Sequence, residues 1–286
     1  MKVANSALEL VGETPLMRLN ALAKRHLASS DILAKLEFFN PLSHDRVANA
    51  IAKELEGAGI PKKSALFSWS FDDSCLSLAL YASSKGMPFT VVMPDTSKTK
   101  NQGIVRAMGG EIELSSAVGG PEESESQARR LAQANHGTYI DIGQMKLNAQ
   151  YYSAAPEIWR DSSGMLDAFI APIAFGSDLS GFYHYFKEKR AEIRVFGAAS
   201  ESGVGEDDAY VLENHVKSYD ELLVSGVDEV LDEIDAAAQL EGLIIGDESA
   251  AALCASYKVA KRPEYRGKRI VCLLTDGGIG LVSNGY

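Results

Sequence analysis

No run of about 20 consecutive apolar residues occurs anywhere in the chain, which sets aside a membrane-spanning helix. The opening Met1-Lys2-Val3-Ala4-Asn5-Ser6 lacks the apolar core of an export signal. Positive charge is scarce: 28 Lys and Arg face 39 Asp and Glu, a net charge of −11, so no nucleic-acid surface is expected. Only three cysteines occur, Cys75, Cys254 and Cys272. The count is odd, the spacing suits no metal, and each lies in an apolar context where a free buried thiol is expected. HxH, HxxE and CxxC patterns are missing, as are repeats and low-complexity tracts. The expectation is a cytoplasmic protein without membrane, nucleic-acid or metal partners.

What is present is alternation. A length of 286 residues suits two domains or one large α/β unit. Apolar or β-branched runs predict strands at 32–38, 65–69, 88–93, 111–114, 166–171, 193–197 and 269–274. Amphipathic stretches predict helices at 45–56, 75–85, 98–108, 123–135 and 248–260. This order argues for parallel sheets covered by helices on both faces. Gly86 and Gly109-Gly110 serve as helix stops. The acidic, Gly/Ser-containing stretch 200–223 reads as an extended loop or flap.

Several segments carry a resemblance. Leu36-Glu37-Phe38-Phe39-Asn40-Pro41-Leu42-Ser43-His44-Asp45-Arg46 resembles the signature of cysteine synthases and cystathionine β-synthases. Val11-Gly12-Glu13-Thr14-Pro15-Leu16 is similar to the family's opening GxTPL turn. The runs 85–94, Ala155-Pro156-Glu157-Ile158-Trp159 and 262–268 match further framework segments. The resemblance spans nearly the whole chain. It implies the fold-type II pyridoxal phosphate (PLP) architecture, two open parallel-sheet α/β domains facing a cleft, as in tryptophan synthase β, and a homodimer. On that plan residues 36–146 form the small domain, and 1–35 with 147–286 the large one. Fold alone does not carry activity.

The resemblance also implies four PLP-handling elements, and each is altered. His44 stands at the position of the lysine that forms the Schiff base, a bond that needs a primary amine. The T-S-G-N-T-G loop is replaced by Trp69-Ser70-Phe71-Asp72-Asp73-Ser74, where only Ser70 matches. The glycine-rich phosphate cradle, whose backbone amides and helix N-terminus bind the anion, is replaced by Ala174-Phe175-Gly176-Ser177-Asp178. Near the C-terminus, Thr275-Asp276-Gly277-Gly278-Ile279 places Gly277 where a serine contacts the pyridine nitrogen. Lys35, the nearest other amine, matches a second lysine that the family carries on this strand. Four independent changes are not economically explained as one trapped lysine. PLP is therefore expected to be absent.

The replacing residues show two patterns. Trp69, Phe71 and Phe175 add aromatic bulk, and filling a vacated cavity would stabilise by about 1.5–3 kcal/mol per buried ring. Asp72, Asp73, Asp178 and Asp276 add negative charge where the family receives anions. At an effective dielectric near 20, like charges about 4 Å apart repel by about 4 kcal/mol, so an amino-acid carboxylate should no longer dock at Asp72 and Asp73. Helix N-capping is the plainer account at Asp72-Asp73-Ser74 and at Asp178, favoured for at least one of each pair. His44 with Asp72 or Asp73 is the sharper one, a candidate acid–base set. Ser43 and Gln144 complete the candidate ligand residues, Gln144 matching the glutamine that approaches the substrate carboxylate.

Three functional readings follow, in order. First is a non-catalytic scaffold, homodimeric or paired with an active cysteine-synthase paralogue, able to hold a small molecule. Serine acetyltransferase, whose tail enters the site in this family, is disfavoured as a partner because that mode uses the altered anion loop. Second is a PLP-independent enzyme using His44 and Asp72 or Asp73 on a cationic or neutral small molecule. Third is a conventional PLP enzyme with rewired contacts.

Overall fold

The computed structural model describes residues 3–42, 45–61, 63–70, 73–97, 99–173, 179–201 and 218–279. These fall into two α/β units, Met1–Gly12 with Asn40–Ala149, and Glu13–Phe39 with Gln150–Tyr286. The breaks differ from the expected 36–146 division. Leu8 is buried among the apolar side chains of the first unit, which draws the opening residues there instead of into the large domain. Residues 36–39 remain with the second unit, where Thr14 Oγ1 donates to Glu37.

The second unit opens with β1 (Leu16–Arg18), α1 (Asn20–Arg25) and β2 (Asp31–Leu36). The first unit then carries α2 (Arg46–Gly57), β3 (Leu66–Trp69), α3 (Cys75–Lys85), β4 (Phe89–Pro94), α4 (Thr99–Ala107), β5 (Glu111–Ser115), α5 (Gly120–Ala134), β6 (Thr138–Tyr139) and α6 (Ile142–Ala149). The chain returns to the second unit with α7 (Ala155–Asp161), β7 (Ala168–Pro172), α8 (Ser180–Lys189), β8 (Arg194–Ser200) and β9 (Glu221–Ser225). Two long helices and a last strand complete it: α9 (Val227–Glu241), α10 (Asp247–Ala260) and β10 (Arg269–Leu274).

Both sheets are parallel apart from β1, which runs antiparallel to β2. Their strand orders are β5-β4-β3-β6 and β1-β2-β10-β7-β8-β9. In the first sheet the order reverses between β3 and β6; in the second it reverses between β10 and β7. Open α/β sheets bind ligands outside the carboxyl ends of strands at such reversals. Each unit thus marks its own site region by topology.

All seven expected strands are present. Three more were not expected: β1 and β6 are too short to show a period, and β9 is an edge strand within the acidic stretch read as a flap. The rest of that stretch, 202–217, lies outside the described residues. The three cysteines are free and buried, as expected. Among the described residues no helix is long and apolar enough to cross a membrane, and no His/Cys/Asp/Glu group could hold a metal.

Gly86 ends α3 at φ 64°, with Met87 N donating to Ala82 O at 2.9 Å, the reach-back bond of a left-handed helix stop. Gly86→Val should cost about 1–2 kcal/mol, read as a lower denaturation midpoint, with Gly86→Asn closer to the parent.

Candidate functional site

The loop after β3 carries the first candidate group. Ser70 N continues the ladder to Val92 O at 3.0 Å, and its buried hydroxyl lies 3.2 Å from Ser74 Oγ. Asp73 does not cap α3. Its carboxylate accepts from Asn101 Nδ2 at 2.8 Å, an amide rooted one turn into α4. The first turn closes instead through the backbone: Leu76 N donates to Asp73 O at 3.0 Å and Ser77 N to Ser74 O at 3.1 Å. Capping is expected from at least one of Asp72 and Asp73; the Asp73 carboxylate goes to a buried amide instead, and Asp72 lies outside the described residues. What stands at the start of α3 is a half-buried Asp73 side chain fixed by Asn101. A helix start favours an anion, and here the protein supplies one.

Trp69, a candidate to fill the cofactor cavity, ends β3 on the same strand face as Phe67, and against the rise that burial causes its indole slightly lowers the Tyr139 phenol. The Tyr139 hydroxyl reaches Glu125 at 3.4 Å, and the Arg129 guanidinium lies 3.9 Å over its ring. Burial, the largest cause, pushes the phenol up to about 12. This group braces β6 against α5. Gln144 lies exposed in the first turn of α6, its Nε2 donating to Asn148 at 3.3 Å and its N–H to Asp141 at 3.0 Å.

The segment before α2 is built as its sequence suggests. Asn40 Oδ1 accepts from Gly12 N at 2.8 Å, and the Asp45 carboxylate accepts from Leu42 N. The candidates Ser43, His44, Phe71, Asp72, Phe175 and Asp178 lie outside the described residues. Of the named site residues, the structure therefore gathers Ser70 and Asp73 on one turn and puts Gln144 in the first turn of α6.

In the second unit Asp276 follows β10 and faces the start of α10. Its Oδ1 accepts from Ser249 N at 2.8 Å and from Ser249 Oγ, and its Oδ2 accepts from Glu248 N at 3.3 Å. Ser249 Oγ also approaches Asp276 N at 3.1 Å. A carboxylate from a distant strand thus caps this helix. Burial raises the Asp276 carboxyl above its ordinary range, opposed by the bonds from Ser249. Gly246 makes the approach feasible, since a Cβ there would sit 2.0 Å from Asp276 Oδ2.

Lys35 lies in the middle of the same unit, fully buried on β2. Its ammonium donates to Thr14 O at 2.6 Å, Glu157 at 3.0 Å and Asp161 at 3.3 Å. Glu157 also takes Glu13 N at 3.1 Å, and Arg160 spans Glu13 with two bonds of 3.0 and 2.8 Å. All three ammonium protons have acceptors. The amine is committed to the framework.

Measured against PLP, the described residues fit poorly. The Lys35 amine has three acceptors and Gly277 carries no side chain, while positions 44, 71–72 and 174–178 lie outside the described residues. Asn101, Asp141 and the Trp69–Tyr139 contact were missed by sequence reasoning. Only Asp141, an aspartate just before a helical run, left a local signal.

Two predictions follow from these contacts. Lys35→Met should strand Glu157 and lower stability by about 3–5 kcal/mol, read by chemical denaturation. Gly246→Ala should displace Asp276 from α10 and cost about 1–2 kcal/mol, whereas Gly242→Ala, whose Cβ meets nothing, reports only backbone strain.

The comparisons with known proteins agree with this framework. A model described as pyridoxal-phosphate dependent enzyme matches residues 7–276. The probable cysteine synthase of Bacillus subtilis is 30% identical over 303 residues, covering 96% of this chain and 95% of the relative. Cysteine synthase B of Pseudomonas aeruginosa is 28% identical, covering 97% and 95%. Among solved structures, a hydrogen sulfide-producing enzyme from Fusobacterium nucleatum has a TM-score of 0.81 at 26% identity, covering 97% of this chain and 99% of that one. The O-acetylserine dependent cystathionine β-synthase of Helicobacter pylori, at 24% identity and TM-score 0.83, shares the fold across 100% and 99%. The chain belongs to the pyridoxal-phosphate dependent enzyme family, on its cysteine synthase and cystathionine β-synthase branch.

Proposed function

We propose that this protein is a cysteine-synthase-like scaffold that no longer binds PLP or performs β-replacement, and that it acts by binding. The observation that carries this reading is the Lys35 ammonium, held by three acceptors. With an imidazole at position 44, the one amine on the adjoining strand would have to abandon two carboxylates to reach an aldehyde. Doing so would leave Glu157 and Asp161 without their buried cation, a loss of about 3–5 kcal/mol.

The electrostatics point the same way. Relatives named cysteine synthase act on amino acids, whose carboxylate needs a donor-rich helix start. Here Asp73 adds negative charge at that start, which disfavours an anionic ligand and favours a neutral or cationic one. As a binding protein the chain would work in the cytoplasm as a homodimer, or pair with a catalytically complete cysteine-synthase paralogue.

A second reading keeps an activity without PLP, with His44 and Asp72 or Asp73 moving protons on a small molecule. Asp73 favours it only in part, since one carboxylate oxygen already accepts from Asn101 and the other is left to act.

The test compares the parent and His44→Lys in a β-replacement assay with O-acetylserine, sulfide and added PLP. Both should be inactive, because the loop and the ring-nitrogen position remain altered in His44→Lys. Full activity in His44→Lys would reduce the change to one missing lysine and overturn the proposal. For the second reading, turnover of any metabolite by the parent should vanish in His44→Ala; retained turnover removes it.

A further inference from the structure

Away from these strand ends, one buried cluster of titratable groups has no part in the proposed function. It lies in the second unit, where α1 docks on α9. The contact is polar at both ends. At the start of α1, Glu241 Oε1 accepts from Ala21 N at 2.8 Å and Leu22 N at 3.0 Å. At its end, the C-cap residue His26 places Nε2 2.8 Å from Glu233 Oε2, and its ring stacks on Tyr257 with centroids 3.9 Å apart at 11°.

Glu233 is the unusual partner. It is 1% exposed, and its second oxygen, Oε1, is buried with no hydrogen-bond donor. The Tyr257 hydroxyl is likewise buried and unpartnered, so it does not supply one. An ionised carboxylate would therefore hold half its charge on an unsatisfied buried oxygen. A carboxylic acid would leave there only a carbonyl, whose desolvation costs far less.

We infer that α1 docks on α9 as an uncharged acid–base pair, with Glu233 a carboxylic acid donating to the Nε2 lone pair of neutral His26. Exposed to water, the same two groups would be imidazolium and carboxylate. Docking then transfers one proton: the Nε2–H bond breaks, an Oε2–H bond forms, and net charge is unchanged. Docked and undocked forms hold the same number of protons across mildly acidic pH, so each partner cancels the pH dependence the other would impose.

The surroundings support this. Burial, the largest cause, pushes Glu233 up to about 7 and pushes His26 down. The charged groups facing the pair are Arg25 from α1, Glu229 and Asp232 from α9, and Lys261 just past α10. They are balanced in sign, and Arg25 is paired to Asp232 at 2.6 Å. Cys254 and Tyr257 of α10 and Cys272 of β10 stay protonated, their acidities suppressed by burial.

Nitrogen NMR of the full-length protein reads the charge state directly. At pH 6, His26 should show one protonated and one unprotonated ring nitrogen; an imidazolium with both protonated overturns the inference. Amide exchange of α1 and His26, corrected for intrinsic rates, reads the compensation. The parent should change only a few-fold between pH 5 and 8.

His26→Phe, which keeps the stack, should lose α1 protection as pH rises, by about a hundredfold over that range. The sign follows from a carboxyl raised from 4.5 to about 7, whose stabilisation is present below the first value and lost through the second. Glu233→Gln should lose protection as pH falls, since the lowered His26 must stay neutral when docked. The double variant should be flat again. Single variants that are both flat, or that slope in the same direction, would contradict the pairing.

Discussion

A buried ammonium fixes much of this molecule. Lys35 sits near the carboxyl end of β2 without solvent, so its charge persists only because Thr14 O, Glu157 and Asp161 converge on it. Those acceptors come from the turn before β1 and from α7, so one charge ties three elements together. Glu157 passes the tie to the Glu13 backbone, and Arg160 closes it on the Glu13 side chain. The same interaction constrains chemistry. The amine of β2, which matches a second lysine of the family and not the Schiff-base one, is committed to the framework.

The strand ends show a related economy. Parallel α/β units leave helix starts beside the carboxyl ends of their strands, and such starts attract anions. In the second unit this chain meets that demand internally. Asp276 caps α10 from the end of β10, and Asp73 stands at the start of α3, held by Asn101. At the start of α10 the N–H groups that could draw in a phosphate or carboxylate are taken by Asp276. This is a change of charge pattern within an unchanged fold.

The fold was legible in the sequence because burial on both faces of a parallel sheet writes continuous apolar runs, and the helices between them write a 3.6-residue period. β6, two residues long, and β1, three residues long, write nothing. Leu8 joins a core assembled from residues 40 positions onward, so the unit boundary could not be read locally. The altered cofactor motifs were legible because each is a short contiguous segment: 36–46 around His44, and the 69–74 loop. The partners were not. Asp276 caps a helix that starts 29 residues earlier, Asp73 takes an amide from α4, and Trp69 meets Tyr139 on an edge strand whose pairing no pattern announced. The Asp73 carboxylate goes to Asn101 for that reason, since local propensity cannot weigh a donor from another helix.

The central claim concerns amines. Incubating the full-length protein with excess PLP, reducing with borohydride and measuring intact mass with peptide mapping would count every lysine able to condense with the cofactor. No stoichiometric adduct is expected at Lys35 or at any other single lysine. One phosphopyridoxyl group per chain at a defined lysine would contradict it.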